Sequence, residues 1–436
     1  MDGLPDDVLA AVLGRLPPSS LAASRCVRRH WCAVIDGRRL LRADLLPLRL
    51  AAFLCCADQL DSLTYFFSPP SVARRIPGGA RLDDLVVDHC NGLLLLWECV
   101  ANPATGQSAR LPPFPEPCLR GFHQRYFIAY DPFFSPDHFQ VLCFLTVPSS
   151  MSDDIAEESE WPPETYTTRV FSSRTWRWEE RSFVRQEGEA AGTVADMRQT
   201  WQARRNHAVY LRGALYVHCQ NDSVMRIGRL GRHPSNPSYH ATINLSSDKY
   251  QMIKPPAARR NFHDGVLHLG KSEKGVYFAL LYWDENEWPL CLVWLLDESC
   301  DEMDWVFKSN INLHPVVENF PFDHDKHSKP WVIINYYKHD VMKEAPTEDE
   351  FEWDFDDGII LPETEDMEAG EESFEIVFLG FHPYEEIAFF LLPSDTVVSY
   401  HLNTLKVQEL GILREQQITN SFPYTPCRMV ELFGNS

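Results

Sequence analysis

Residues 4–31 read LPDDVLAAVLGRLPPSSLAASRCVRRHW, and this stretch sets a helical beginning apart from the rest of the chain. Pro5 followed by Asp6 and Asp7 is typical of a helix start, because proline is tolerated in the first turn and acidic side chains there complement the helix dipole. The next apolar residues recur at helical spacing and form one stripe: Val8, Leu9, Val12, Leu13 and Leu16. The sequence therefore predicts an amphipathic helix that begins near Pro5.

More short helices are predicted after this one. Pro17-Pro18 ends the first helix, and Ser19 or Ser20 can cap a second helix that carries Leu21. A third helix is predicted to carry its apolar side chains on one face: Val27, Trp31, Val34 and Ile35. Three short amphipathic helices within about 45 residues have too little interior to bury every apolar side chain. Part of this apolar surface is therefore expected to belong to a partner.

From about residue 51 onward the pattern changes to short apolar strands separated by Pro, Gly, Asn and Asp. The clearest strand candidates are 92–97, 139–145, 169–171, 214–219, 265–269, 276–282, 290–296, 331–334, 375–379, 387–391 and 397–401. A turn that precedes an apolar strand recurs at Asn91-Gly92, Arg212-Gly213 and Asp264-Gly265. Turn signals recur at intervals on the order of 45–50 residues, the period of propeller blades with four strands. The body is predicted to be all-β and propeller-like, with a β-sandwich as the open alternative.

Composition narrows the class of protein. The formal net charge of −22 argues against nucleic acid as the main partner, because phosphate binding needs concentrated Lys and Arg. The beginning of the sequence lacks the pattern of a secretory signal, and no apolar run has the length of a membrane span. The 12 cysteines are therefore expected to be reduced thiols. These features predict a protein of the cytoplasm, the nucleus or both, without a membrane partner.

The stretch 4–31 closely resembles an F-box. That family opens with Leu-Pro, an acidic residue and paired aliphatic residues, continues through a second Leu-Pro, and ends with Val, basic residues and Trp. Leu4-Pro5, Leu16-Pro17 and Val27 to Trp31 supply these landmarks in order, although Arg28 stands where a second Cys is common. The resemblance implies that residues 1–48 form a three-helix domain, which binds a Skp-type adaptor and through it the cullin and RING subunits of a ubiquitin ligase.

The resemblance also implies which residues contact the adaptor. They are Leu4, Pro5, Val8, Leu9, Val12, Leu13, Leu16, Leu21, Val27 and Trp31. The competing interpretation is that some of them only hold the helices together, and for Val27 and Trp31 the two interpretations stay open.

Residues 49–436 resemble the associated β-domain of plant F-box proteins, which is loosely kelch-like. The resemblance rests on Cys90-Asn91-Gly92 with Leu93 to Leu95, on residues 101–107 and 111–113, and on the tail segments 382–387 and 400–403. Asn102-Pro103-Ala104-Thr105-Gly106 is also ordinary turn chemistry between two strands. The fold class expected for the whole chain is therefore α+β and multidomain, a small helical F-box followed by a large all-β domain. The resemblance implies a substrate-binding role for the β-domain and leaves the substrate unknown.

Two polar segments are expected to be solvated loops. Residues 148–165 are rich in Pro, Ser, Asp and Glu, and residues 343–373 hold a dense run of acidic side chains. Phe351, Trp353 and Phe355 alternate with the acidic residues of the second segment, which suits a hairpin tip or a partner-docking motif.

No phosphate-binding loop, zinc-binding helix motif or nucleophile turn occurs in the sequence, so neither catalysis nor a cofactor is expected. Residues 323–327 are the densest cluster of potential metal ligands, and a polar loop is the favoured interpretation because the cluster lacks metal-ligand spacing. His89, His218 and His268 are predicted to be hydrogen-bonded strand residues. The sequence favours a substrate-recruiting subunit of an SCF-type (Skp–cullin–F-box) ubiquitin ligase. The alternatives are a scaffold or inhibitor that binds the adaptor without promoting ubiquitination, and a catalytic or sugar-binding propeller.

Overall fold

The computed structural model describes most of the β-domain and part of the helical beginning. The described residues are 5–16, 24, 27–38, 40, 50–57, 64–69, 86–132, 135, 137–148, 157–186, 188, 190–199, 207–228, 248–256, 265–272, 274–284, 288–299, 303–321, 331–334, 358–361, 375–414 and 418–427. The predicted helix after Ser19, the residues 323–327, and Phe351, Trp353 and Phe355 lie outside them.

Two helices are described in the first forty residues, where three were expected. They are α1 (Asp6–Leu13) and α2 (Arg29–Gly37). Leu9 and Leu13 of α1 are buried against Val34 and Ile35 of α2. Val27 was predicted to share the face of the third helix, but α2 begins only at Arg29. The Val27 N–H instead donates to the carbonyl of Ser24 in a turn before the helix.

Strands dominate the rest of the chain, so the prediction of a mostly β protein is confirmed. The first eleven are β1 (Ala52–Ala57), β2 (Thr64–Ser68), β3 (Val86–Cys90), β4 (Leu93–Leu96), β5 (Cys99–Asn102), β6 (Gln107–Arg110), β7 (His123–Tyr130), β8 (Phe139–Thr146), β9 (Glu160–Trp161), β10 (Thr165–Ser172) and β11 (Arg177–Arg185). Next come β12 (Gly192–Thr193), helix α3 (Val194–Gln199), β13 (Ala208–Leu211), β14 (Ala214–His218), β15 (Val224–Gly228) and β16 (Lys249–Ile253).

The remaining elements continue the same pattern. They are β17 (Val266–Ser272), β18 (Gly275–Trp283), β19 (Pro289–Asp297), β20 (Asp304–Asn312), helix α4 (His314–Asn319), β21 (Val332–Ile334), β22 (Ile359–Ile360), β23 (Val377–Phe381), β24 (Ile387–Leu391), β25 (Thr396–His401), β26 (Lys406–Ile412) and β27 (Ile418–Tyr424). All the quoted strand candidates overlap with these strands.

Consecutive strands pair into antiparallel meanders. Strands β3 to β6 form one sheet, β17 to β20 another, and β23 to β26 with β22 at the edge a third. Strands β7, β8, β10 and β11 form a meander that joins the meander β13 to β16 through a parallel pairing of β11 with β16, which makes one eight-stranded sheet. The first strands of successive meanders contact one another in chain order: β3 with β7, β7 with β13, β13 with β17, and β17 with β23.

The last sheet joins the two ends of the β-domain. Strand β27, near the end of the chain, pairs antiparallel with β1, and β21 pairs with the other edge at β2. Strand β27 also contacts β23, so it lies next in the series of adjacent strands β3, β7, β13, β17 and β23. Pairing between strands so far apart in sequence is a long-range contact, and no local sequence pattern encodes it.

Burial distinguishes inner from outer strands. Every residue of β18 from Gly275 to Tyr282 is buried, as expected where a strand has packed layers on both faces. In β20, an outer strand, exposed residues alternate with buried ones such as Trp305 and Ile311.

The tight turn at Asn91-Gly92 fixes where the end of the chain lies. Both residues have positive φ, 47° and 89°, as a two-residue hairpin turn of type I′ requires. A Cβ on Gly92 would come within 2.5 Å of the Cys427 nitrogen and the Thr425 oxygen, so only glycine allows this approach. Arg212-Gly213 forms the equivalent turn between β13 and β14, whereas Gly265 precedes β17 and is not in a turn of this kind.

The two segments predicted to be solvated loops differ in part from that expectation. Glu160–Trp161 forms β9, which pairs with β12, and Trp161 is buried against Phe122. The large apolar area of the indole outweighs the polar composition of the segment around it. In the acidic segment Ile359–Ile360 forms β22 at the edge of a sheet.

Candidate functional sites

The predicted adaptor-binding residues divide into two sets in the helix pair. Leu9 and Leu13 are buried, 3% and 1% exposed, while Leu16 and Trp31 pack partly against the same small core. Their main role in the described structure is to hold α1 against α2. Leu4 and Leu21 lie outside the described residues.

The second set faces outward. Val8 is 45% exposed, Val12 49% and Val27 58%, and Pro5 is exposed as well. Val8 and Val12 are four residues apart on α1, so they lie on the same side of the helix. Valine side chains are usually buried in a folded protein, and here the two form an apolar strip next to the packed face. This geometry suits a surface that a partner covers.

Charged residues link the two helices at the edge of this strip. His30 Nε2 lies 3.3 Å from Asp6 Oδ1, and the Arg38 guanidinium pairs with the Asp7 carboxylate. All four side chains are more than half exposed, so these ion pairs contribute little to stability.

The β-domain contains a cavity where its first strands meet. The cavity has a volume of about 80 Å³ and is lined by residues of β3, β13, β17, β23 and β27 and of the turns that follow them. These strands converge here because the first strand of each meander lies beside the next. The Cys90-Asn91-Gly92 motif and the Pro383-Tyr384 turn, both quoted from the sequence, contribute to its wall.

Lys271, at the end of β17, brings an ammonium group into this wall. Its Nζ donates to Asn91 Oδ1 at 2.7 Å and to the Tyr210 carbonyl at 3.2 Å. Burial lowers the pKa of Lys271, and the neighbouring Cys90 and Asp131 act in the opposite direction. Lys271 was not among the predicted site residues, and the signal for it in the sequence is a charged residue within a largely apolar strand.

The β3 residues beside Lys271 are held in uncharged forms. Burial raises the pKa of Asp88 to about 8, although the Ile128 N–H donates to Asp88 Oδ2 at 2.8 Å. Burial, together with the charge of Lys271, lowers the pKa of His89 to about 3. Burial raises the pKa of the Cys90 thiol to about 12. At neutral pH these three side chains are therefore mostly neutral.

Asp88→Asn is expected to stabilise the protein at alkaline pH. The folded pKa of Asp88 lies above the unfolded value, so the folded state binds the extra proton and wild-type stability falls as pH rises from about 4 to about 8. Asn keeps an acceptor for the Ile128 N–H and does not ionise. The variant should gain at least about 2 kcal/mol over wild type at pH 9 and almost nothing at pH 4 in urea unfolding. An equal difference at both pH values would contradict the assignment.

Glu386 forms a second polar cluster, between two sheets. Its carboxylate accepts hydrogen bonds from Tyr277 Oη at 2.8 Å and from Asn403 Nδ2, and it pairs with Lys274 and with Lys308, the latter at 3.0 Å. Burial alone would raise the pKa of Glu386, but these four donors lower it to about 2. The segments 382–387 and 400–403, which carry part of the resemblance to plant F-box proteins, meet at Glu386. Their role in the described structure is to join two sheets.

The described residues hold no group of three or more His, Cys, Asp or Glu side chains suited to a metal ion. His218 and His268 are buried within β14 and β17, and the His89 ring contacts the Phe422 ring in a tilted arrangement, with centroids 4.8 Å apart. No helix in the described part of the chain is long and apolar enough to cross a membrane.

Comparison with known proteins identifies the helical beginning. Residues 1–43 match the F-box domain family. The chain is 24% identical over 151 residues to F-box protein At3g57590, 27% identical over 141 residues to F-box protein At3g07870, and 25% identical over 170 residues to F-box only protein 8, all from Arabidopsis thaliana. The chain therefore carries an F-box domain at its beginning and is similar to plant F-box proteins.

These similarities cover only part of each relative. They include 30%, 29% and 34% of this chain and 36%, 33% and 55% of the three relatives, respectively. A structural comparison with SapL1 lectin in complex with alpha methyl fucoside covers 84% of this chain and 98% of that one, at 9% identity and a TM-score of 0.21. So low a score supports no inference about fold or ligand. The matched domain family is one of non-catalytic proteins.

Proposed function

We propose that this protein is the substrate-recruiting subunit of an SCF-type ubiquitin ligase. The observation that carries the proposal is the F-box match over residues 1–43 together with the exposed strip of Val8 and Val12 in that domain. In this proposal the helix pair binds a Skp-type adaptor, which links the protein to the cullin and RING subunits. The protein itself is proposed to be non-catalytic, to need no cofactor, and to act in the cytoplasm, the nucleus or both.

The adaptor interface is proposed to centre on the exposed apolar side chains. Burial of an exposed valine contributes on the order of 1 kcal/mol, so Val8, Val12 and Val27 supply only part of the roughly 8 kcal/mol that micromolar binding requires, and other contacts of the interface must supply the rest. Leu9, Leu13 and Trp31 contribute by holding the helices in place, and Pro5 and Leu16 lie at the border of the strip. Leu4 and Leu21 are proposed contacts on the basis of the F-box resemblance.

The β-domain, residues 49–436, is proposed to be a six-bladed propeller that binds the substrate. Support comes from the five antiparallel meanders, from a sixth four-stranded sheet in which β27 pairs with β1 and so joins the last part of the domain to the first, and from the first strands that lie side by side around the cavity. A propeller presents its connecting turns at the two ends of its central channel, where partners bind.

The main alternative is a scaffold or inhibitor that occupies the adaptor without promoting ubiquitination. The adaptor-binding surface would be the same in both cases, so the fate of the partner held by the β-domain distinguishes them. A receptor makes the loss of that partner dependent on the proteasome, because it raises the local concentration of the partner at the ligase. A scaffold or inhibitor leaves the partner intact.

Reconstitution tests the proposal. Wild type and residues 49–436 are each incubated with adaptor, cullin, RING subunit and conjugating enzyme, and with partners captured by proximity labelling in plant cells. We expect wild type alone to bind the adaptor and to cause ubiquitination of a captured partner. Adaptor binding without ubiquitination of any partner would favour the scaffold, and a folded wild type that does not bind the adaptor would refute both.

A further inference from the structure

We propose that the cavity between the first strands of the β-domain binds a carboxylate group through Lys271. The inference deepens the proposed function and rests on it, since the carboxylate would belong to a recruited protein, as an acidic side chain or a chain terminus.

The geometry of Lys271 leaves it able to bind an anion. An ammonium group has three N–H donors, and two of them are directed at Asn91 Oδ1 and the Tyr210 carbonyl. Both acceptors are neutral, and among the described residues the ion pairs do not include Lys271, although Asp131 favours its charged form from a greater distance. The side chain keeps part of its surface accessible at the cavity. A buried ammonium whose direct hydrogen-bond partners are neutral is costly, and a bound carboxylate would offset that cost.

The surroundings make this positive charge effective. Among the described residues that line the cavity, Lys271 is the one Lys or Arg and Asp88 the one Asp or Glu. Asp88 accepts the Ile128 N–H, and because burial raises its pKa to about 8 it is mostly protonated at neutral pH. The protein as a whole repels anions, because its formal net charge is −22, but the charge of Lys271 makes this cavity locally favourable for an anion.

Size and wall chemistry select the kind of anion. About 80 Å³ is well below the roughly 300–1,000 Å³ of pockets for whole small molecules, so the cavity fits one side chain or chain end. Tyr210, Phe381 and Tyr384 give it apolar walls. A single cation balances the single charge of a carboxylate, whereas a phosphate dianion usually requires several donors from Arg or Lys.

Four small probes test the proposal with the full-length protein. N-acetylglycine carries a chain-terminal carboxylate, and N-acetylaspartate amide carries a side-chain carboxylate; N-acetylglycinamide and N-acetylasparagine amide are their neutral counterparts. Binding is measured by ligand-observed NMR. We expect one or both acids to bind at millimolar concentration and at least about tenfold more tightly than the matched amides. The acid that binds more tightly identifies the source of the carboxylate.

Three variants locate the binding site. Lys271→Met removes the charge at similar volume, and Asn91→Asp places a carboxylate beside Lys271 that competes with the ligand. Both should weaken binding of the acids at least about tenfold, and Asn91→Asp keeps the test valid if Lys271→Met does not fold. Lys249→Met, on the outer strand β16, is the control that should bind as wild type does. Equal binding of acids and amides, or unchanged binding in both cavity variants, would overturn the proposal.

Adaptor capture by the same preparations separates this inference from the proposed function. Lys271→Met and Asn91→Asp should bind the adaptor as wild type does, because the F-box is unchanged. If wild type binds the adaptor but no carboxylate, the cavity proposal fails and the ligase proposal stands. If wild type does not bind the adaptor, the ligase proposal fails.

Discussion

Val8→Asp combined with Val12→Asp is expected to weaken adaptor binding at least about a hundredfold, while the helix pair stays folded. Both side chains are about half exposed in the free protein, so aspartate at these positions costs little in folding. In the complex the variant loses the burial of the exposed half of each valine, roughly 1 kcal/mol per position, and must also desolvate two carboxylates, so the total loss reaches at least about 3 kcal/mol. A loss of about 3 kcal/mol corresponds to a little more than a hundredfold in Kd. Titration calorimetry with the purified adaptor measures the change.

Two further variants show whether the loss is specific. Val306→Asp makes the same replacement at a valine of the β-domain that is 52% exposed, and it should leave adaptor binding unchanged. Leu9→Asp with Leu13→Asp should also abolish binding, but through loss of the helix pair, because both leucines are buried against Val34 and Ile35. Circular dichroism and proteolysis distinguish the two causes. Wild-type affinity in the Val8 and Val12 variant would place the adaptor elsewhere on the F-box.

Glu386→Ala is expected to lower the free energy of unfolding of the β-domain by about 3 kcal/mol, because it removes the anion from a buried cluster of hydrogen bonds and ion pairs. The carboxylate joins Tyr277, Lys308 and Lys274, on β18, β20 and the turn between β17 and β18, to Asn403 of the next sheet. Its removal leaves two lysines repelling each other without an acceptor between them. Urea unfolding of the full chain, followed by tryptophan fluorescence, measures the difference.

The same carboxylate predicts the dependence of stability on pH. The folded pKa of about 2 lies below the usual value of 4.5, so the contribution of Glu386 is complete above about pH 4.5 and is lost as pH falls toward 2. A shift of this size corresponds to about 3 kcal/mol. In Glu386→Ala this component of the acid-induced loss should be missing.

A matched surface pair serves as the control. Glu98 and Arg110 lie 2.7 Å apart, but their side chains are 60% and 80% exposed. Glu98→Ala should therefore change the free energy of unfolding by less than about 1 kcal/mol. If Glu98→Ala and Glu386→Ala destabilise the protein equally, the network around Glu386 does not hold the two sheets together.

Local sequence patterns were sufficient for the elements themselves. Apolar residues at helical spacing predicted α1, and short apolar runs between turn residues predicted the strands, because each depends on neighbours within a few positions. The order of landmarks from Leu4 to Trp31 likewise identified the F-box. The pattern could not show that Leu9 and Leu13 are buried while Val8 and Val12 stay exposed, since all four belong to one apolar stripe.

What the sequence alone determined is therefore the helical F-box at the beginning, the β character of the body, the positions of its clearest strands, and the tight turns at Asn91-Gly92 and Arg212-Gly213. Only the tertiary structure decided which valines remain exposed, which strand closes on β1, and which polar groups meet at Lys271 and Glu386. The physical reason is distance along the chain. Lys271 and Asn91 are 180 residues apart, and Tyr277 and Glu386 are 109 apart. Such contacts arise from the packing of whole sheets against one another, which no local periodicity encodes.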